Sequence, residues 1–198
     1  MSVPLLGEPL PIELANTAYA VRGEPRDGLE NAELFTEWLA AIEDRLPWRL
    51  SAEELAAIGD FELTAAREIR EAVRDIAQAI TGRDAAQVAA GGMAGAAPSV
   101  GAVETLNRHA RWAPYWRELR WQGEPAAQVR SAAPAVTAVL SFIAQEAIDL
   151  FVRRHADLRA CQGPGCVLLY LQDRPQRRWC SAACGNRARA ARHYARHR

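Results

Sequence analysis

The stretch Cys161–Cys184, CQGPGCVLLYLQDRPQRRWCSAAC, holds all four cysteines of the 198-residue chain. Their spacing is C-x4-C-x13-C-x3-C. Two close pairs separated by a short span are what a tetrahedral four-cysteine zinc site requires. Gly163-Pro164-Gly165 lets the first pair turn tightly, so that both thiolates face one point. Val167–Leu171 reads as a short strand, Gln172–Gln176 as a turn, and Arg177–Trp179 as a second strand pairing back. The second pair spans one helical turn. Cys180 falls just ahead of a helix and Cys184 inside its first turn, where the helix dipole favours thiolate charge.

A knuckle, a β-hairpin and a helix that donates the last ligands make a treble-clef finger. A segment of roughly 40 residues cannot build a sufficient core alone, so Zn2+ bound by Cys161, Cys166, Cys180 and Cys184 would supply much of its folding energy. Four thiolates fill the tetrahedral shell and leave no position for water, which makes the site structural. The alternatives are two disulfides or four unrelated thiols. His155, His193 and His197 lie nearby and read as surface or phosphate contacts rather than ligands.

From Cys184 at 100° per residue, Cys184, Ala188, Ala191 and Ala195 line one stripe of the last helix. Arg189, Arg192 and Arg196 lie to one side, joined by His193, while Arg187, Tyr194 and Arg198 lie on another. Such a helix has the charge to neutralise several phosphates and the width to enter a major groove. Arg174, Arg177 and Arg178 on the hairpin add candidate backbone contacts. Asn186 either reads a base edge or braces the knuckle.

The formal net charge is zero, from 24 Arg and 24 acids, with no Lys. Divided at Leu150, it becomes 13 Arg against 22 acids (−9) before, and 11 Arg against 2 acids (+9) after. The basic part coincides with the cysteine module. This points to nucleic acid as its partner, or to docking of the basic helix on an acidic domain of this or another chain. The N-terminus carries Glu8 and Glu13 and no basic start, so it does not read as a secretory signal. No apolar run is expected to reach the roughly 18–20 residues of a membrane span. The expected compartment is the cytoplasm, where paired thiols are more often metal ligands than disulfides.

Residues 1–150 read as mostly helical with a small β element, so the expected fold class is α+β, with domains 1–150 and 151–198. Ile12–Val21 is a short helix or a strand-to-helix transition, and Arg22–Gly28 a loop. Leu29–Ile42 is a helix with Leu34, Trp38, Leu39 and Ile42 on one face. Ser51-Ala-Glu-Glu54 is a capping box opening a short helix to Ile58. Thr64–Ile80 buries Ile69, Val73, Ile76 and Ile80 and turns Arg67, Arg70, Glu71 and Arg74 outward. Ala89–Ala97 is a loop, Ser99 caps a helix to about His109, and Arg111–Gly123 alternates as one or two strands. Pro134 opens a helix to about Asp157.

Several residues also carry a resemblance. Arg178-Trp179-Cys180-Ser181 followed by Cys184-Gly185-Asn186-Arg187 resembles the signature of the CGNR zinc-finger family. Leu158-Arg159-Ala160-Cys161, Tyr170 and Asp173 fall where that family places Leu-Arg-x-Cys, an aromatic and an Asp. The chain departs from the pattern at Ala182, where Met is usual, and at Arg189, where Lys is usual. Such fingers commonly follow an ABATE domain. Gly7–Thr17, with Glu13 where Asp is usual, and Arg67–Arg74 resemble that domain's opening motif and central helix. The family is regarded as stress-induced transcription regulators, so the resemblance implies DNA binding; the expectation of no enzymatic role rests on the residues themselves.

No catalytic constellation stands out. The Gly91–Gly95 stretch has no strand before it and no Lys after it, so it is no phosphate loop. His109 is the only histidine before residue 151, which excludes a His-rich metal site. Asn16, Thr17, Arg67, Arg70 and Asn107 are expected to line a groove for a small anionic effector; Trp38, Trp112 and Trp116 either wall it or, as the favoured reading of each, pack in the core. The leading expectation is a regulator that contacts double-stranded DNA, with an effector or homodimerisation domain. The alternatives are a zinc-containing protein-interaction module and a small-molecule-binding protein.

Overall fold

The computed structural model describes residues 3–82 and 97–196. The chain opens with helix α1 (Leu10–Ala15) and a hairpin of β1 (Ala18–Val21) and β2 (Glu24–Asp27). Helices α2 (Ala32–Ala41), α3 (Ala52–Ala56) and α4 (Asp60–Thr81) follow. After α5 (Val100–Ala110) comes a second hairpin, β3 (Tyr115–Trp121) and β4 (Pro125–Ser131), then α6 (Ala135–Arg154). The last part is β5 (Leu158–Ala160), β6 (Leu169–Leu171) and α7 (Ala182–Arg196). The architecture is α+β with small sheets, as expected from the sequence.

The core forms where α1, α4, α5 and α6 meet. Ile12, Leu14, Ile69, Val73, Val139 and Ile143 are fully removed from solvent there. Leu158, Leu169 and Leu171 join the same cluster, so the last segment packs directly on the helical body. Burial of such side chains contributes about 1.5–3 kcal/mol each. The Ser51–Glu54 capping box closes in both directions, and Ser99 accepts from the Ala102 N–H.

Several elements differ from the sequence reading. Arg22–Gly28 is not a loop: Arg22 and Gly23 both take positive φ, 55° and 89°, and fold β2 back on β1. Two successive positive-φ residues suit a tight two-residue hairpin. The buried stripe of α2 centres on Phe35, with Trp38 and Leu39, while Leu34 is only half-buried. Helix α4 begins at Asp60, one turn early, because Glu62 returns to the Gly59 N–H. Strand β4 went unread because PAAQVRS lacks a β-branched alternation. Ala135–Asp157 is, by length and a mean hydropathy of 1.7, apolar enough to cross a membrane, contrary to expectation; half of that window is buried within the fold. The loop expected at 89–97 lies outside the described residues except for Ala97.

The largest difference is in the cysteine segment. Strand β6 pairs with β5, Leu158 opposite Leu171 and Ala160 opposite Leu169, and not with Arg177–Trp179. Pairing before the knuckle puts Leu158, Leu169 and Leu171 in the core. Residues 172–179 are instead held by side chains. Tyr170 Oη donates to the Arg177 carbonyl, and Gln172 Nε2 donates to the Pro175 and Arg177 carbonyls.

Candidate metal centre and cationic helix

The four cysteine Sγ atoms lie within 4.8 Å of one another, and all but Cys166 are buried. Cys166 and Cys180 sulfurs are 3.8 Å apart, Cys180 and Cys184 3.5 Å. Four sulfurs at about 2.3 Å from a tetrahedral Zn2+ would stand about 3.8 Å apart. The N–H groups of Gly163 and Cys180 each donate to Cys161 Sγ at 3.4 Å. A Cβ on Gly163 would stand 3.1 Å from Cys184 Cβ and 3.4 Å from two of the sulfurs, so only glycine lets the knuckle close over them. The residues therefore fit a metal ion.

Their acid–base behaviour agrees. Cys166 and Cys180 donate S–H bonds to Cys161 and hold its thiol far below the ordinary range. The bond to Cys161 and burial push Cys166 up to about 11, and bonds to Cys161 and Cys166 push Cys180 up as well. The cluster loses one proton readily and retains the next, a resistance that a divalent cation removes.

Side chains of the body hold this module from outside. Asn16 is fully buried; its Nδ2 donates to the Leu169 carbonyl at 3.0 Å and its Oδ1 accepts from the Leu169 N–H at 2.8 Å. Glu8 accepts from the Leu171 N–H at 2.9 Å and from Arg177 Nη2 at 2.6 Å. These two side chains complete the free edge of β6. Arg177 also donates to the Leu171, Trp179 and Cys180 carbonyls and stacks 4.7 Å from the Tyr170 ring centre. It is thus turned inward, and its guanidinium is not part of the cationic surface.

Among the other arginines expected to contact DNA, Arg174 and Arg178 are exposed on the loop before Cys180. Helix α7 packs through Cys184, Gly185 and Ala188 and is exposed from Arg189 through Ala195, so Ala191 and Ala195 are not packed as expected. Arg189, Arg192 and His193 lie on this exposed stretch, and Tyr194 beside them is 73% exposed. Arg196 ends the helix. Arg187 Nη2 donates to Cys184 Sγ at 3.0 Å, which puts a cation against the thiolate cluster. Asn186 accepts from Arg189, whose guanidinium lies 5.9 Å from the Trp179 ring centre. Gly185 leaves the room that Trp179 fills, since a Cβ there would meet the indole at 3.2 Å.

Of the five residues expected to line an effector groove, Arg70 and Thr17 meet, but the five do not line one groove. Arg70 is buried and pairs with Asp27 while also donating to Thr17. Asp27 is raised by burial but lowered more by the Arg70 bond and the Leu29 N–H, and ends below the usual carboxylate range. Arg67 donates to the Leu29 and Glu30 carbonyls, and Arg74 to those of Ala15 and Ala18. Asn107 is exposed on α5. Trp38 is core, Trp112 stacks on Phe61, and Trp116 is exposed on β3. Glu8, Glu13, Asp27 and Arg74 were given no site role by sequence. The available signal was an acid inside an apolar run, as in IELA, where Glu13 is fully buried and accepts from the Leu6 and Glu8 N–H groups.

A helical body carrying a four-cysteine metal module is the class of protein that these features define. Residues 8–154 match the ABATE family model, described as "Putative stress-induced transcription regulator", and residues 158–197 match the CGNR zinc finger. The chain belongs to the ABATE family and carries a CGNR zinc finger at its C-terminal end. No match was found among curated proteins.

Proposed function

We propose that the chain is a cytoplasmic DNA-binding transcription regulator. Zn2+ held by Cys161, Cys166, Cys180 and Cys184 fixes the first turn of α7, and the helix beyond contacts duplex DNA through Arg189, Arg192, His193 and Arg196. Arg174 and Arg178 add phosphate contacts. The observation that carries this reading is that α7 is exposed from Arg189 through Ala195, with Arg189 and Arg192 on that stretch. A cationic helix so presented can neutralise phosphates while its side chains enter the major groove. The family description points the same way. The test is binding of the zinc-loaded full chain to duplex DNA at rising salt. Affinity should fall steeply, with a log–log slope of about −0.9 per phosphate neutralised. Absence of duplex binding at low salt contradicts the reading.

In this reading the body also senses a small effector. Support comes from a cavity of about 580 Å3 where α4 meets β6, lined by Glu71, Arg74, Asp75, Gln78, Thr81, Val167 and Leu169. A molecule held there touches both the helical body and the strand that follows the knuckle. A second cavity, about 430 Å3, is lined by Arg67 with Thr64, Glu68, Asp75 and Ser99. Substituting Gln78→Trp to fill the first cavity should abolish any effector-dependent change in DNA affinity. An unchanged response would place the effector elsewhere.

A further inference from the structure

Among the described residues, no strand lies on the outer side of β3: it pairs only with β4, and the two form a two-stranded ribbon. Such a ribbon is marginal in water without a further strand or a packed face. Yet Leu119 and Trp121 are 75% and 70% exposed, and Trp116 46%. Long exposed edges of this kind are templates for pairing with another chain.

The sequence of β3, YWRELRW, is complementary to itself when run antiparallel. Opposed residues of an antiparallel pair share a face, so only registers that keep β3's two faces distinct are available. With Leu119 facing Leu119 of a second copy, Glu118 faces Arg120 and Arg117 faces Trp121, each twice by symmetry. The first adds an ion pair to a Glu118 that in its own chain accepts from Trp116 Nε1 and lies 3.4 Å from Arg130 and 3.9 Å from Arg120, and the second sets a cation over an indole. Moving the centre to Glu118 sets two carboxylates against each other, and moving it to Arg120 sets two guanidinium groups together. The other edge offers less: β4 opens on Pro125, which has no N–H, and carries Arg130 as its one charge.

We propose that β3 pairs antiparallel with β3 of a second copy about a twofold axis at Leu119, joining two ribbons into one four-stranded sheet and the chain into a dimer. The hairpin stands away from the metal module in sequence, so this pairing does not depend on DNA binding. It leaves both α7 helices free and presents them as a symmetric pair.

The test is the mass of the zinc-loaded full chain by sedimentation from low to high micromolar concentration, for wild type and three charge variants. The wild type should dimerise. Glu118→Arg and Arg120→Glu each set like charges across the axis and should weaken the dimer at least tenfold. The double variant, Glu118→Arg with Arg120→Glu, restores opposite charges and should recover it. Circular dichroism checks that each variant folds. Leu119→Cys gives a second readout, because the axis brings the two thiols within disulfide reach. A monomeric wild type, single variants that still dimerise, or a double variant that stays monomeric would overturn the proposal. So would a hairpin that captures only a different protein.

Discussion

Helices α4 and α7 carry arginines at similar helical spacing and use them differently. On α4, Arg67, Arg70 and Arg74 donate to the carbonyls of Leu29, Glu30, Ala15 and Ala18 and to the Asp27 carboxylate. On α7, Arg189 and Arg192 are exposed, with no carboxylate partner among the described ion pairs. The first set ties α1 and the β1–β2 hairpin to the body. The second is a surface. Charge on the polar face of an amphipathic helix therefore does not by itself mean solvent. What decides is whether a neighbouring element offers backbone oxygens that its own secondary structure leaves unpaired.

The strongest way to break this contrast is to remove the metal. Chelation should unfold the α7 turn around Cys184 and, through Leu169 and Leu171, loosen β6 from Asn16 and Glu8. Hydrogen exchange should show the Leu169 and Leu171 amides losing protection before the core of α4. Next is Arg70→Ala, which removes the cation from the half-exposed Asp27 and leaves a space beside Thr17, whose hydroxyl keeps its bond to the Leu14 carbonyl. The expected loss is about 2–4 kcal/mol in chemical denaturation. Asn16→Ala leaves the Leu169 N–H and carbonyl unpaired on one edge and should cost about 2 kcal/mol, with faster loss of metal to a chelator.

The acid response sharpens the picture of the body. Burial lowers the His109 pKa, and the 2.7 Å contact with Glu68 opposes it only in part. The unfolded chain then binds that proton more readily than the folded one. Stability should fall as pH drops through the unfolded value of about 6.5. Asp27, lowered net, adds a further loss below about pH 4. Denaturation midpoints across this range test both, and His109→Gln should flatten the first step. The smallest effect on stability belongs to α7: Arg192→Ala should change it by no more than about 0.5 kcal/mol.

Much of the cysteine module was readable because ligand chemistry is local. Spacing, the Gly-Pro-Gly turn and a helix whose first turn holds Cys184 are all set within a few residues. The α4 and α6 periodicities were readable for the same reason. What could not be read were partnerships between distant segments. Strand β6 reads in sequence as the partner of Arg177–Trp179, whereas the fold pairs it with β5 and buries Leu158. Arg177 sits among basic neighbours, yet Glu8, far away in the chain, draws it inward. Asn16 and Thr17 read as polar groove residues, whereas one completes a strand edge and the other receives Arg70. Strand β4 was missed because its alanines carry no strand signal, while the turn at Gly123 and pairing with β3 set its conformation.

The most direct measurement compares duplex-DNA affinity and thermal stability of the zinc-loaded wild type with those of the triple variant Arg189→Ala, Arg192→Ala, Arg196→Ala. The prediction is an unchanged unfolding midpoint with weakened DNA binding and a salt slope reduced by up to about 3. Equal affinity and slope in the variant would contradict the claim that α7 is the DNA-contacting surface.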